Sequence, residues 1–457
     1  MVLRLKTKKE NSNNRIFLSR EWPWVAIICA LVTYGNLYQS KMVLLAAAAV
    51  IAVTILRSSA ANAFYWALFL VPNIRMLDLV GVKYLVNIIM AVPLITYFLR
   101  YGTWRISLVA LLGSFLLFVM ELVHDVALNN MSNLINIGGW VLNFMLCIVV
   151  TVDSRVKLSK DDVFSALSTG VIISAVMYLI SSGQTVLGIV ETLEKNTRLE
   201  AFANDPNAYS MYAILAIACV INVRGRKAYR FITLALLVGL GLLTASKMGL
   251  ITIVTELALI FLQIFIQNKE NKELRKFAWW TLAGVTGLAI VLWDYVGIVI
   301  RNFIRRAGTD DLQNIDMGEF TTGRWDILLD YLNILGQNPM CLLFGYGFGY
   351  RLHLGQARWA VAHNTYMDLF LTWGVVGTVI FLFILYLWIR DYVWARGIQK
   401  IRFIQYIPLI TLLITFMALS CLSASMFPFV LAVAFIQWLP GEETKVQMTD
   451  RSAENET

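Results

Sequence analysis

Long apolar blocks, each close to the length of a membrane span, recur along this chain and constrain its fold more than any other feature. A hydrocarbon core of about 30 Å asks for roughly 20 apolar residues per helical span, with a range of about 17–25. Candidate spans are Pro23–Tyr38, Met42–Leu56, Phe64–Leu77, Leu79–Leu99, Ile106–Leu122, Leu134–Val152, Val163–Ser181, Asn207–Val223, Phe231–Thr244, Gly249–Gln267, Phe277–Val296, Asn364–Ile389, Phe403–Cys421 and Ser425–Leu439. The Phe64–Leu99 region reads either as two spans or as one span with a re-entrant piece. Of the 457 residues, 59% are hydrophobic and 15% charged, against roughly 45–50% and about 25% in soluble domains. That apolar excess cannot be hidden inside one water-soluble globule, which excludes a soluble enzyme, a disordered chain and a nucleic-acid-binding module. The blocks lack the two-residue alternation of an outer-membrane barrel. The expected fold is an all-α polytopic integral membrane protein, with about 12–14 transmembrane helices and one large extracytoplasmic loop containing a short amphipathic helix.

The net charge of +9 follows the spans. With the N-terminus inside, 26 of the 38 Lys and Arg residues fall in the cytoplasm and 12 outside, the bias expected when both termini are cytoplasmic. The division is then a cytoplasmic segment 1–22, a transmembrane domain 23–439 and a cytoplasmic tail 440–457. No cleavable signal peptide is expected, because the first apolar stretch after the basic N-terminal run is of spanning length. Cys29, Cys147, Cys219 and Cys421 lie in apolar stretches, leaving Cys341 without an obvious partner, so no disulfide framework is implied.

Positive charge outside opposes the orientation rule, and half of it sits in the loop Gly297–Ala362 as six arginines: Arg301, Arg305, Arg306, Arg324, Arg351 and Arg358. A guanidinium fork matches phosphate oxygens bidentately, whereas lysine offers a point charge. Lipid headgroups, or Asp310, Asp311, Asp316 and Glu319 nearby, are the plainer partners. Within the loop, Trp325, Leu328, Leu329, Leu332 and Leu335 recur at helical spacing after Thr321-Thr322-Gly323-Arg324. Arg324 then lies in a first turn whose free N–H groups favour an anion, or the helix simply lies on the membrane. Gly345, Gly347 and Gly349 permit a tight turn or close approach to a ligand. His363 stands at the mouth of the span that follows, where an imidazole can take a proton or serve as an interfacial hydrogen-bonding group. His124 and His353 keep that plainer role. Arg198 precedes Asn204-Asp205-Pro206-Asn207, where Asn207 can cap a helix, and Lys247 sits at the outer end of a helical hairpin. Glu256, deeper in the next span, is costly without a partner.

Taken in order, Asp205-Pro206-Asn207, Ser246-Lys247-x-Gly249, Gly323-Arg324, Asn338-Pro339 with Gly345-x-Gly347, and His363-Asn364 with Gly374-x-x-Gly377 resemble the O-antigen ligase and Wzy-type polysaccharide polymerase family, from about Arg198 to Ile389. The chain departs from it at Lys247, where members commonly carry arginine. The resemblance implies metal-independent, cofactor-free glycosyl transfer on the outer face of the cytoplasmic membrane. The donor would be an oligosaccharide on undecaprenyl pyrophosphate. Arg324 would bind pyrophosphate, His363 would be the base, and Lys247 would take the second basic position. Arg198, Arg301, Arg305 and Arg306 would assist the pyrophosphate, with Asp205, Asn207 and Asn364 in support. Membrane lipids, a chain-length regulator and a flippase are the partners implied, and no nucleic acid. A polymerase is expected first and a ligase second. A flippase would place its charges at mid-membrane, and a metal-dependent transferase would use the acids at 310–319.

Overall fold

The computed structural model describes residues 16–81, 85–102, 108–127, 134–192, 198–203, 205–223, 227–266, scattered positions in 275–297, 323–350, 362–422, 424 and 426–440. The described residues form sixteen α-helices and no strand. The first eight are α1 (Phe17–Leu37), α2 (Lys41–Arg57), α3 (Ala60–Leu70), α4 (Leu85–Tyr101), α5 (Leu108–Ala127), α6 (Leu134–Val152), α7 (Lys160–Ser182) and α8 (Val186–Thr192). Then come α9 (Pro206–Val220), α10 (Lys227–Leu243), α11 (Lys247–Ile266), α12 (Arg324–Gln337), α13 (Pro339–Phe344), α14 (Thr365–Ala395), α15 (Phe403–Phe416) and α16 (Phe427–Ile436).

Among the described residues, α7 and α14 are long and apolar enough to cross a bilayer unaided, and shorter apolar helices pack around them. Leu108, Leu112, Phe115, Val123 and Val126 of α5, and Val379, Leu382, Phe383 and Tyr386 of α14, point outwards. Helices that are apolar on their outer faces as well as inside need lipid around them, because the backbone is satisfied within the helix and only the side chains meet the solvent. The fold is that of an integral membrane protein. α3 is the exception that marks the centre: its residues are buried all round. It stops at Leu70, earlier than the candidate span to Leu77, and passes into a 3-10 turn at Val71–Asn73. The candidate span Phe277–Val296 lies largely outside the described residues.

α5 and α14 run antiparallel, with Gly113 facing Ile384 and Gly377 facing Met120. At one end of the bundle, arginines close helix C-termini. Arg396 donates to the carbonyls of Val150, Thr151, Asp153 and Val156, and Arg100 to those of Leu56, Arg57 and Ser58. The last carbonyls of a helix lack internal partners, so a guanidinium there satisfies several at once. Arg155 pairs with Asp153 at 2.7 Å in the same region. These basic residues are structural fixtures of the end that the charge bias assigns to the cytoplasm.

Candidate active site

The opposite end is built from helix N-termini. Asp205 caps α9: its Oδ1 accepts from Asn207 N at 2.6 Å and Ala208 N at 3.1 Å, with Pro206 in the first turn. Proline suits that position because it has no N–H to lose and its φ is already helical. Ser246 does the same for α11, its Oγ accepting from Gly249 N at 3.1 Å, which leaves Lys247 as the first helical residue. The two caps are joined. Asn207 Oδ1 accepts from Ser246 Oγ at 2.9 Å and from Arg198 Nη2 at 3.0 Å, while Arg198 Nε donates to the Thr244 carbonyl at 2.7 Å. Gly249 lets α11 approach α9 closely, since a Cβ there would stand 2.1 Å from Ser210 Oγ. The spacing of Asp-Pro-Asn and Ser-Lys-x-Gly therefore has one cause: two helix starts packed side by side, their positive dipole ends together and Arg198 beside them. Both features favour an anion. Asn207→Ala is expected to lower the thermal midpoint of the purified protein, at a cost of about 1–3 kcal/mol, because it leaves Ser246 and Arg198 without their shared acceptor. An unchanged melt would make that bridge incidental.

A third N-terminus is tied to this cleft through the 415–420 segment. Asn364 caps α14, its Oδ1 accepting from Tyr366 N at 2.9 Å and Met367 N at 3.1 Å. The Asn364 backbone N–H donates to Ser420 Oγ at 3.2 Å, and Thr365 Oγ1 donates to the Leu419 carbonyl. Leu419, Ala418 and Thr415 in turn line the cleft with Asn207, Ser210, Ser246 and Gly249. His363, half-buried, immediately precedes this cap with φ at 51°. Four described non-glycine residues have positive φ, and three of them (Ala201, Ala245 and His363) flank these segments. Side chains rarely adopt that conformation, and it concentrates where surrounding structure enforces a functional geometry.

Arg324 arrives on a strap. It opens α12 with Gly323 at the cap position; Thr321 and Thr322 lie outside the described residues. The buried stripe is Ile327, Tyr331 and Leu335, clustered with Tyr350, Ala362, Met367 and Leu371. Of the stripe that periodicity suggested, Leu335 belongs to this cluster and Leu328 packs against it, whereas Trp325, Leu329 and Leu332 face outwards. Both sides are apolar, and hydropathy alone does not distinguish a face on protein from one on lipid. Tyr331 packs edge-on against Tyr350, whose hydroxyl donates to Asp368 at 2.6 Å and lies 3.4 Å from the Ala362 N–H. The strap thus ties the helix of Arg324 to the residue next to His363.

Beyond α13 the strap enters the bundle. Gly374 breaks α14 with φ 61° and ψ −167°, and two carbonyls just before the break accept from the strap: Leu371 O from Tyr346 N at 2.7 Å, and Thr372 O from Gly347 N at 2.8 Å. Glu121 of α5 accepts from Phe348 N at 2.9 Å and from Trp373 Nε1, and His124 Nε2 bonds the Phe344 carbonyl at 2.9 Å. The glycine run is a backbone-to-backbone dock, and His124 keeps its structural role.

Arg198, Asn207 and Ser246 therefore form one group, with Lys247 next to Ser246 in the chain, and the 415–420 segment connects it to Asn364, the residue after His363. Arg324 is joined to the latter through the strap. Arg301, Arg305 and Arg306, and the acids at 310–319, lie outside the described residues. Tyr350, Asp368 and Glu121 were missed; an acid inside an apolar span was the signal for the last two.

A family model described as O-antigen ligase matches residues 231–382. Over this stretch, about a third of the chain, the protein is similar to the O-antigen ligase and polymerase family. The match contains Lys247, Arg324, His363, Asn364 and Gly374 and begins after Arg198, Asp205 and Asn207. The match supports an enzyme of the general membrane glycosyltransferase kind. No curated protein and no solved structure matches it.

Proposed function

We propose that this protein is a polymerase that joins undecaprenyl-pyrophosphate-linked oligosaccharide repeat units on the outer face of the cytoplasmic membrane, for a capsule, O-antigen or other envelope polysaccharide. The observation that carries the reading is the cleft between the starts of α9 and α11, which Arg198 and Lys247 flank in the chain and which the 415–420 segment joins to the start of α14 beside His363. A diphosphate leaving group needs cations and free N–H groups; an acceptor hydroxyl needs a base. In this scheme Arg198, Lys247 and Arg324 hold the diphosphate as negative charge develops on it. The acceptor oxygen attacks the anomeric carbon, the bond from that carbon to the phosphate oxygen breaks, and His363 takes the hydroxyl proton. One displacement inverts the anomeric centre. The cations stand at a helix-terminal end rather than along the middle of the bundle, which favours transfer over passage through the membrane.

The matched model's own description favours a ligase as the second reading. A deletion strain separates the two: loss of a polymerase leaves single repeat units on undecaprenyl pyrophosphate, whereas loss of a ligase leaves long lipid-linked ladders. Arg324→Lys keeps the charge and loses the fork, so product formation is expected to fall about tenfold or more. Wild-type turnover in that variant would reduce Arg324 to a point charge.

A further inference from the structure

Glu256 lies inside α11, about 14 Å along the helix from Lys247. It is 1% exposed, and neither carboxylate oxygen has a hydrogen-bond partner among the described residues. A bare carboxylate in such a place costs several kcal/mol, while a neutral carboxylic acid does not. A route to it is visible in the packing. α9 and α11 run parallel, with Asn207 beside Ser246 and Ser210 against Gly249. α15 runs the other way, with Thr415 at the cleft and Ile407 packed with Ala218 and Ile260 farther in. By that register the buried Thr252 and Thr411 fall between the cleft and Glu256. Ser210 Oγ, also buried, has no partner among the described residues and faces the gap that Gly249 leaves.

Thr252 and Thr415 donate their hydroxyls back to the Met248 and Thr411 carbonyls. Their lone pairs remain to accept from an acid, whereas a metal cation would need about six oxygens turned towards it. On α9 the titratable group beside Glu256 is Cys219, while Tyr209 donates its hydroxyl to the Val171 carbonyl of α7 and Tyr212 lies nearer Asp205 and Cys421; α10 from Phe231 and α15 from Ile407 carry none, and α11 itself adds only Lys247 at its start. We propose that Glu256 is a proton-binding site within the membrane, loaded through the Ser210–Gly249 cleft. It goes beyond glycosyl transfer and is tested without it.

The experiment uses the full-length protein in lipid vesicles and dicyclohexylcarbodiimide, an apolar reagent for protonated carboxyls in apolar surroundings. The acid's proton passes to a carbodiimide nitrogen as its oxygen bonds the central carbon, and the adduct rearranges to a stable N-acylurea. Mass spectrometry of the peptide carrying Glu256 is expected to show the adduct, with a yield at least about tenfold lower near pH 9.5 than near pH 6. Glu256→Gln gives the blank. Gly249→Ala, which closes the gap, and Thr252→Val, which interrupts the file, are each expected to slow the response of labelling to a pH jump. An unlabelled Glu256, or equal yields at both pH values, overturns the proton site; an unslowed response in both variants overturns the route.

Discussion

Replacing His363 with glycine is expected to stop glycan joining and leave the fold standing. The residue sits at φ 51°, in the left-handed region, where glycine is at ease and most side chains are not. The usual objection to deleting a candidate base, that the protein has merely been weakened, is therefore blunted: stability should stay within about 1 kcal/mol of the parent. Asn364, the cap of α14, is untouched. Removing a general base typically costs on the order of 10²–10⁴ in rate. Purified protein in vesicles, given a lipid-linked oligosaccharide donor and acceptor, should show that loss on a glycan gel while its melting curve holds. His363→Asn provides a second arm, because asparagine tolerates the same backbone conformation and lacks a basic nitrogen. Normal polymer from either variant removes His363 from the mechanism.

What the sequence displayed and what it hid divide along one line. Helix positions were legible because a span leaves a long apolar signature, and most candidate spans lie within a few residues of a helix. Caps were legible only roughly: one was expected at Asn207, but Asp205 caps α9 and Asn207, within its first turn, bridges to Ser246 and Arg198, while Asn364 caps α14. The partners across the fold were not. Glu121 and Phe348 are 227 positions apart, and Trp140 reaches the Leu422 carbonyl across 282, distances at which no periodicity speaks. The strap shows the same limit. Read as a loop, 297–362 holds a described stretch, 323–350, that packs into the bundle through its glycines and through Tyr331 and Tyr350. Composition announced that glycines were needed there, but what they approach is another segment's backbone.

Gly374→Ala is the substitution expected to damage the protein most. An alanine Cβ would stand 2.4 Å from the carbonyl carbon and oxygen of Leu343 and from Phe344 N, and Gly345, at φ 77°, meets Thr372 and Trp373 backbone atoms just as closely from the other side. Backbone atoms cannot swing aside as a side-chain tip does. Conformational strain at a near glycine-only φ/ψ contributes about 1–3 kcal/mol, and the two strap-to-helix bonds from Tyr346 and Gly347 add about 1 kcal/mol each if lost. The sum is comparable with the lower part of the 5–15 kcal/mol that holds a typical domain together, roughly speaking. The variant should either fail to accumulate or release the strap, exposing 339–350 to limited proteolysis and separating Arg324 from the start of α14. Gly336→Ala supplies the contrast within the same strap: nothing stands within 4 Å of its Cβ position and it lies inside α12, so a gain of up to about 1 kcal/mol is expected there. If both variants melt and resist protease like the parent, the strap is not held by the break in α14.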